Sequence, residues 1–416
     1  MLGGRKAGDV ATDTADSAGR NGLGWLRDLR WLGRRRAVGY GVILLLAEAS
    51  LLIGFALQTH GMFGPAAPVS TDFLSFYSAG RLADRGEAAS IYDLDRYFAE
   101  QRAVYGDPAP APFYFFYPPI FVMVCGALAL LPYLVAFYVW AGAQLTLVVV
   151  VVGRILRDRG LTIAFLSCPP LLFNFLLGQN AALGAGLIAL ATRIIDRRPA
   201  LAGVLFGCVC YKPQLFFMVP VALLAGRRYR ALVSAVLTVL ALAGASLLIL
   251  GAETWQNFLA LSGLIQRIYA GGELGYYASV SAYAGVRMLG GSAAAGSVAE
   301  AVAIVLAVAA IVRVWRPDLG PALRGAVLTA GTLTAAPSAM AYDMLLAGIA
   351  IVSLVEDARA GGWQPWDKAV CGVIWIAMLG GTLIAEQTGI PVLPLIGPAL
   401  LVLILRRAGL PAHATA

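Results

Sequence analysis

Asp72 is the residue around which chemistry can be built. It stands in Thr71-Asp72-Phe73-Leu74-Ser75-Phe76-Tyr77-Ser78-Ala79-Gly80-Arg81, just past the first apolar run. Phe73, Phe76, Tyr77 and Gly80 recur at helical spacing, so they share one face of a helix running to about Leu82, as suits an interfacial helix. A carboxylate held at an interface beside a dry pocket suits a general base that takes the proton of a hydroxyl. The same residue in the same place also reads as a helix N-cap. The local pattern leaves both readings open.

Other polar groups interrupt apolar sequence in the same way. Lys212, in Lys212-Pro213-Gln214, is one of three lysines, with Lys6 and Lys368, and alone lies in an apolar segment. It is either a point charge for a phosphate or a lysine snorkelling to the interface. Arg81 and Arg85, one turn apart, could meet the same phosphate, pair with Asp84 or Glu87, or bind anionic headgroups. Gln179 and Asn180 follow Gly178 in a tight turn, where an amide closes the turn or meets sugar hydroxyls. Tyr342-Asp343 follows a proline at the start of an apolar run, and Asp343 could bind acceptor or a cation, or cap a helix. Trp255, Glu273, Tyr276, Tyr277 and Tyr283 read as an interfacial aromatic belt before they read as sugar-stacking platforms.

Several chemistries lack material. With only His60 and His413, a histidine triad or a multi-histidine metal site is not expected. Cys125, Cys168, Cys208, Cys210 and Cys371 all lie in or beside apolar runs, so neither a structural disulfide nor a zinc site is expected. No Walker loop or dinucleotide fingerprint falls between a strand and a helix. The residues assign no metal and no cofactor.

Composition decides which elements must position these groups. Of 416 residues, 60% are hydrophobic and 13% are charged, against roughly 25% charged in a soluble domain. The apolar residues run in blocks near 20 long, the length that crosses a ~30 Å hydrocarbon core. The expected fold is therefore an all-α polytopic membrane protein. The net charge of +8 is no nucleic-acid footprint. It comes as Arg34-Arg35-Arg36, Arg197-Arg198 and Arg227-Arg228-Tyr229-Arg230, clusters that mark cytoplasmic loop ends by the positive-inside rule.

Counting each apolar run as one crossing puts Arg154, Arg157 and Arg159 outside and splits Arg197-Arg198 from Arg227-Arg228. Two changes remove both conflicts. Residues 117–131 lie along the outer surface as a juxtamembrane helix, and 199–225 is a hairpin of two half-length helices broken at Tyr211-Lys212-Pro213. About 12 membrane segments result, in one domain over residues 38–406. A basic, disordered tail (1–37) and a short tail (407–416) lie inside. A long first outer loop (60–132) carries two juxtamembrane helices, and a second large outer loop spans 252–296. Asp72, Gly178-Gln179-Asn180, Lys212-Pro213-Gln214 and Tyr342-Asp343 then all fall on the outer face of the cell membrane.

Asp-Phe-x-x-Phe-Tyr at Asp72, Tyr92-Asp93, Tyr117-Pro118-Pro119, Gly178-Gln179-Asn180 and Lys212-Pro213-Gln214 together resemble glycosyltransferase family 87. These are polyprenyl-phosphate-mannose-dependent α-mannosyltransferase-like membrane proteins, and the resemblance runs from about residue 70 to 355. It implies a GT-C-like bundle whose first outer loop carries an acidic catalytic residue, which corresponds to Asp72. On the residue readings above, Lys212 would hold the donor phosphate, with Arg81 and Arg85 as further candidates. The resemblance implies that Tyr77, Tyr117, Gln179, Asn180 and Gln214 line the substrate cavity, and Tyr342 and Asp343 are candidates to join them. The expected partners are a polyprenyl-phosphate-linked sugar, a lipid or glycan acceptor, and membrane lipids. The chain has no histidine near Ser338–Asp343, which departs from the family and leaves the acceptor open. The rival reading is a membrane transporter or lipid flippase, which would show related halves; no repeat is visible, and a transporter has no need of the 60–132 loop.

Overall fold

A computed structural model of the chain describes residues 24–58, 71–105, 113–273 and 275–409. The tail up to residue 23, His60, and the tail from residue 410, including His413, lie outside the described residues. Among the described residues the fold is helical, and the only β pairing is an isolated bridge between Ser279 and Met340.

A short helix α1 (Gly24–Asp28) leads into α2 (Arg34–Gln58). Next come α3 (Thr71–Asp84), α4 (Leu94–Tyr105), the short α5 (Pro119–Ala129) and the long α6 (Tyr133–Leu156). Then α7 (Arg159–Phe165) and α8 (Pro169–Leu177) form a bent pair before α9 (Ala181–Ile194). The 199–225 segment gives α10 (Pro199–Cys208), α11 (Pro213–Phe216) and α12 (Met218–Ala225). It is followed by α13 (Tyr229–Leu250), α14 (Ala252–Gly271), α15 (Ala282–Met288) and α16 (Ala293–Val314). The chain closes with α17 (Pro321–Thr334), α18 (Leu345–Gly361), α19 (Asp367–Thr388) and α20 (Ile396–Gly409).

Among the described residues five helices, α2, α6, α13, α16 and α19, are long and apolar enough to cross a membrane. The α7–α8 pair makes a sixth, bent by 56° where Pro169-Pro170 removes two backbone donors. That is fewer than the twelve segments expected, because several apolar runs form helices too short to span alone. From Ala322 to Thr334 every residue of α17 is buried, and the first ten residues of α18 are buried too. A helix buried on all sides lies inside a bundle, and protein around it satisfies what lipid cannot, as Asp196 does for Arg324 of α17.

The 199–225 segment breaks at Lys212, whose backbone is extended (φ −126°, ψ 83°). Its two ends return to the same place, since Arg228 and Asp196 form an ion pair. Gly203 and Gly207 let α10 pack closely on α13: a Cβ at Gly203 would stand 2.2 Å from the Ala231 carbonyl oxygen.

Basic helix ends gather at one end of the bundle. Arg34 pairs with Asp158 at 2.6 Å, Arg359 donates to the Leu156 carbonyl, and Arg193 pairs with Glu356 at 2.7 Å. Asp196 holds both Arg228 and Arg324, while Arg407 bridges Asp357 and Asp367. Lys368 donates to the carbonyls of Leu29 and Leu32. The starts of α2, α13, α17 and α19 therefore meet the ends of α6, α9, α18 and α20. At the other end, an aromatic cluster from residues 73–140 packs beside the main core.

Candidate active site

Asp72 lies in the first turn of α3, which begins at Thr71, so it is not the residue preceding the helix as an N-cap would be. Aromatic packing fixes that helix. Phe76 stands edge-on to Phe121 and Tyr117, with centroids at 5.1 and 5.4 Å, and Phe73 meets Tyr133 and Phe137 at 5.4 and 5.5 Å. Gly80 lets α5 cross in contact: a Cβ there would fall 2.1 Å from the Cys125 carbonyl oxygen. The Asp72 carboxyl is hydrogen-bonded by Gln179 and lies within reach of the Lys212 charge. Burial outweighs both and pushes its pKa up to about 6.

Gln179 belongs to a turn built from three helices. Gly178, at φ +63°, ends α8 in the left-handed conformation that favours glycine. Trp140 Nε1 donates to the Gly178 carbonyl at 2.9 Å, and Gln144 Nε2 donates to the Gln179 carbonyl at 2.9 Å. The Gln144 oxygen takes the Leu183 N–H, and the Asn174 oxygen takes that of Ala182. The turn thus presents the Gln179 and Asn180 amides inward. The Asn180 side chain is fully buried, its amide makes no close hydrogen bond within the protein, and it interacts with the Tyr117 hydroxyl. Such a buried amide has unused capacity for a ligand.

Lys212 and Asp343 arrive from breaks far apart in sequence. Lys212 Nζ lies 2.5 Å from Asp343 Oδ1, and the two residues are 2% and 1% exposed. The second Asp343 oxygen accepts the Met340 N–H, and the Tyr342 ring lies 5.0 Å from Nζ. Tyr211, beside Lys212, donates to the Asn180 carbonyl and stacks on Phe121 at 5.2 Å. Tyr117 and Tyr342 both feel Asp72 and Asp343, which places all four in one cluster.

The structure therefore brings together Asp72, Tyr117, Gln179, Asn180, Lys212, Tyr342 and Asp343. It does not bring Arg81 or Arg85 to them. Both pair with Glu100, at 2.9 and 2.6 Å, and Arg81 lies about 14 Å along α3 from Asp72 at 1.5 Å per residue. Tyr77 donates to the Leu131 carbonyl at 2.9 Å and packs on Tyr133, a scaffold position. Gln214 is half-buried in the turn after the break. Asp93, in Asp93-Leu94-Asp95, accepts the Arg96 N–H and caps α4. Sequence reading passed over Gln144, Asn174 and Tyr269, although a lone amide in the apolar 133–156 run was a visible signal for Gln144.

A helical bundle with a buried carboxylate, amide and lysine cluster opposite its basic end is the build of a membrane-embedded enzyme. Residues 115–338, more than half of the chain, match glycosyltransferase family 87, and the chain belongs to that family. It is a membrane glycosyltransferase. Tyr117, Gln179, Asn180, Lys212 and Gln214 lie inside the matched stretch, Asp72 precedes it, and Tyr342 and Asp343 follow it closely. No curated protein and no solved structure matches the chain.

Proposed function

We propose that the chain transfers a sugar, mannose by the family default, from a polyprenyl phosphate to a hydroxyl of a lipid or glycan acceptor. The reading places this reaction at the outer face of the cell membrane, with the short helices enclosed in a GT-C-like bundle and both termini inside. Asp72 takes the proton of the acceptor hydroxyl as its oxygen attacks the anomeric carbon. The bond to the phosphate breaks with its electron pair on the phosphate, so a β-linked donor gives an inverted product. That leaving group needs no acid, which fits a site with one open carboxylate.

The observation that carries this reading is convergence: Asp72, the Gln179-Asn180 turn and the Lys212–Asp343 pair come from four distant stretches. Lys212 has three N–H donors and spends one on Asp343, leaving others for a phosphate oxygen. A charge held ready in a water-poor site stabilises the developing phosphate without reorganisation. Arg81 and Arg85, held by Glu100, have no part in it.

The test is transfer by purified protein in lipid, supplied with polyprenyl-phosphate-mannose and a membrane extract, against Asp72→Asn. Wild-type transfer that falls by a factor of about a hundred or more in the variant supports the base. Equal transfer by both sinks Asp72. No transfer by either, with other polyprenyl-phosphate sugars also tried, turns the reading toward a transporter.

A further inference from the structure

Beside the cluster lies a second polar space that the reaction above does not use. A cavity of about 500 Å³ opens between the end of α14, the 272–284 connection, the first turns of α16 and the Pro337–Met340 turn. It lies within the ~300–1,000 Å³ typical of small-molecule sites. Tyr269 lines it, and its hydroxyl bonds to Ser338, another lining residue, while it feels the Asp343 charge. Tyr269 also interacts with Tyr342, so it stands between this cavity and the Asp72 cluster.

Glu300 is the notable lining group. It sits two turns into α16, 7% exposed, in a helix otherwise built of alanine, valine and isoleucine on that stretch. The carboxyl accepts the Tyr283 N–H on one oxygen at 3.1 Å and also interacts with the Ala282 N–H, while its other oxygen, Oε1, is buried and makes no hydrogen bond. An ionisable group inside a span is costly unless it has a use, and an unpaired buried oxygen costs more. Around it stand the hydroxyls of Ser281 and Ser338 and the rings of Tyr276 and Tyr283, whose own hydroxyls are tied to the Ala270 carbonyl. No lysine or arginine lines the space among the described residues; Arg287 lies behind Tyr276 and donates to its hydroxyl. A phosphate would meet Glu300 unscreened. A neutral polyol would find a strong acceptor, hydroxyl partners and aromatic surface.

We propose that this cavity is a saccharide subsite, in which Glu300 accepts a hydroxyl of a sugar unit of the acceptor and so sets the acceptor beside Asp72. The acceptor role rests on the transfer reaction proposed above; sugar binding by the cavity does not.

The test separates the two. Full-length protein in nanodiscs is mixed with methyl α-mannoside or a mannobiose, and saturation-transfer NMR reads the sugar signal against empty discs. Wild type, Asp72→Asn, Glu300→Gln and Ser297→Trp are compared. Gln keeps an acceptor for the Tyr283 N–H, and Ser297 is exposed on the cavity rim, so its Trp fills the mouth without displacing core. The sugar signal should persist in Asp72→Asn and fall by about fivefold or more in the other two, as loss of a charge-assisted bond or of space predicts. In the transfer assay the extract concentration giving half-maximal rate should rise about tenfold in both cavity variants, with donor dependence unmoved. Sugar binding lost in the cavity variants, with no transfer by any protein, supports the subsite and removes its acceptor role together with the transferase reading. Wild-type protein that binds neither sugar overturns the subsite, as do cavity variants with unchanged signal and half-saturation. Signal lost only in Asp72→Asn also overturns it.

Discussion

A carboxyl with a pKa of about 6 is ionised at neutral pH but close to titrating. If Asp72 is the base, transfer falls tenfold per pH unit below about 6, and the fall reports this one group. Stability should move the other way. Because the folded value is raised from 3.8, the folded protein keeps a proton that the unfolded chain has lost between about pH 4 and 6. Stability therefore declines as pH rises through that window, and the ionised carboxylate costs up to about 3 kcal/mol above it. Solvent on the open side of Asp72 reduces this to about 1–2 kcal/mol. Asp72→Asn should accordingly be the more thermostable protein at pH 7.5, with the gap closing toward pH 4. Thermal unfolding at the two pH values measures it. A carboxyl that titrates at its ordinary value would give no such gap. The site was legible at this scale wherever a polar group broke an apolar run, as with Asp72, the Gln179-Asn180 turn, Lys212 and Asp343. Arg81 and Arg85 looked the same in sequence, because a cation near a helix end carries no sign of whether Glu100 or a phosphate will meet it. Glu300 was also visible as a carboxylate in an apolar run and went unread.

The helices that carry these groups are placed by a few close contacts. At the α3–α5 crossing, Gly80 leaves no space for a side chain, whereas Gly142 on α6 is exposed with nothing within 4 Å of an added Cβ. Gly80→Val should destabilise the protein by about 1–3 kcal/mol through overpacking. Because the crossing holds the helix that bears Asp72, the transfer rate should fall while donor half-saturation stays near wild type. Gly142→Ala should instead stabilise by about 0.5–1 kcal/mol with activity unchanged. Thermal unfolding beside single-turnover transfer checks both, and a Gly80→Val protein of normal stability and rate would refute the crossing as described. The break at Lys212-Pro213 was legible at this scale, since proline and a buried charge both oppose a continuous helix. The number of spans was not. Hydropathy scores α9 or α17 as it scores a crossing helix, and only the burial of α17 on every side shows that its neighbours are protein.

Across the molecule, α9 and α18 set the separation between the two ends. α9 leads from its N-cap Asn180 to Arg193, and α18, entered just after Asp343, leads to Glu356 and Arg359, so the site lies about 20–25 Å from the ion-pair network at 1.5 Å per residue. Basic residues at loop ends resist translocation, so the proposed reaction expects the network in the cytoplasm and the site outside. Two single-cysteine positions test this. Glu87 is exposed beside Ala89, which Asn257 of α14 contacts near the site's end. Asp318 is exposed next to Arg316 at the network's end, and its surface pair contributes little to stability. The native cysteines among the described residues are buried or half-buried and should give little background. In intact cells a membrane-impermeant maleimide should label Glu87→Cys and leave Asp318→Cys unlabelled until the membrane is permeabilised. The reverse pattern would put Asp72 on the cytoplasmic side, where a donor and acceptor would have to be presented from within, and the outer-face reaction would fall with it.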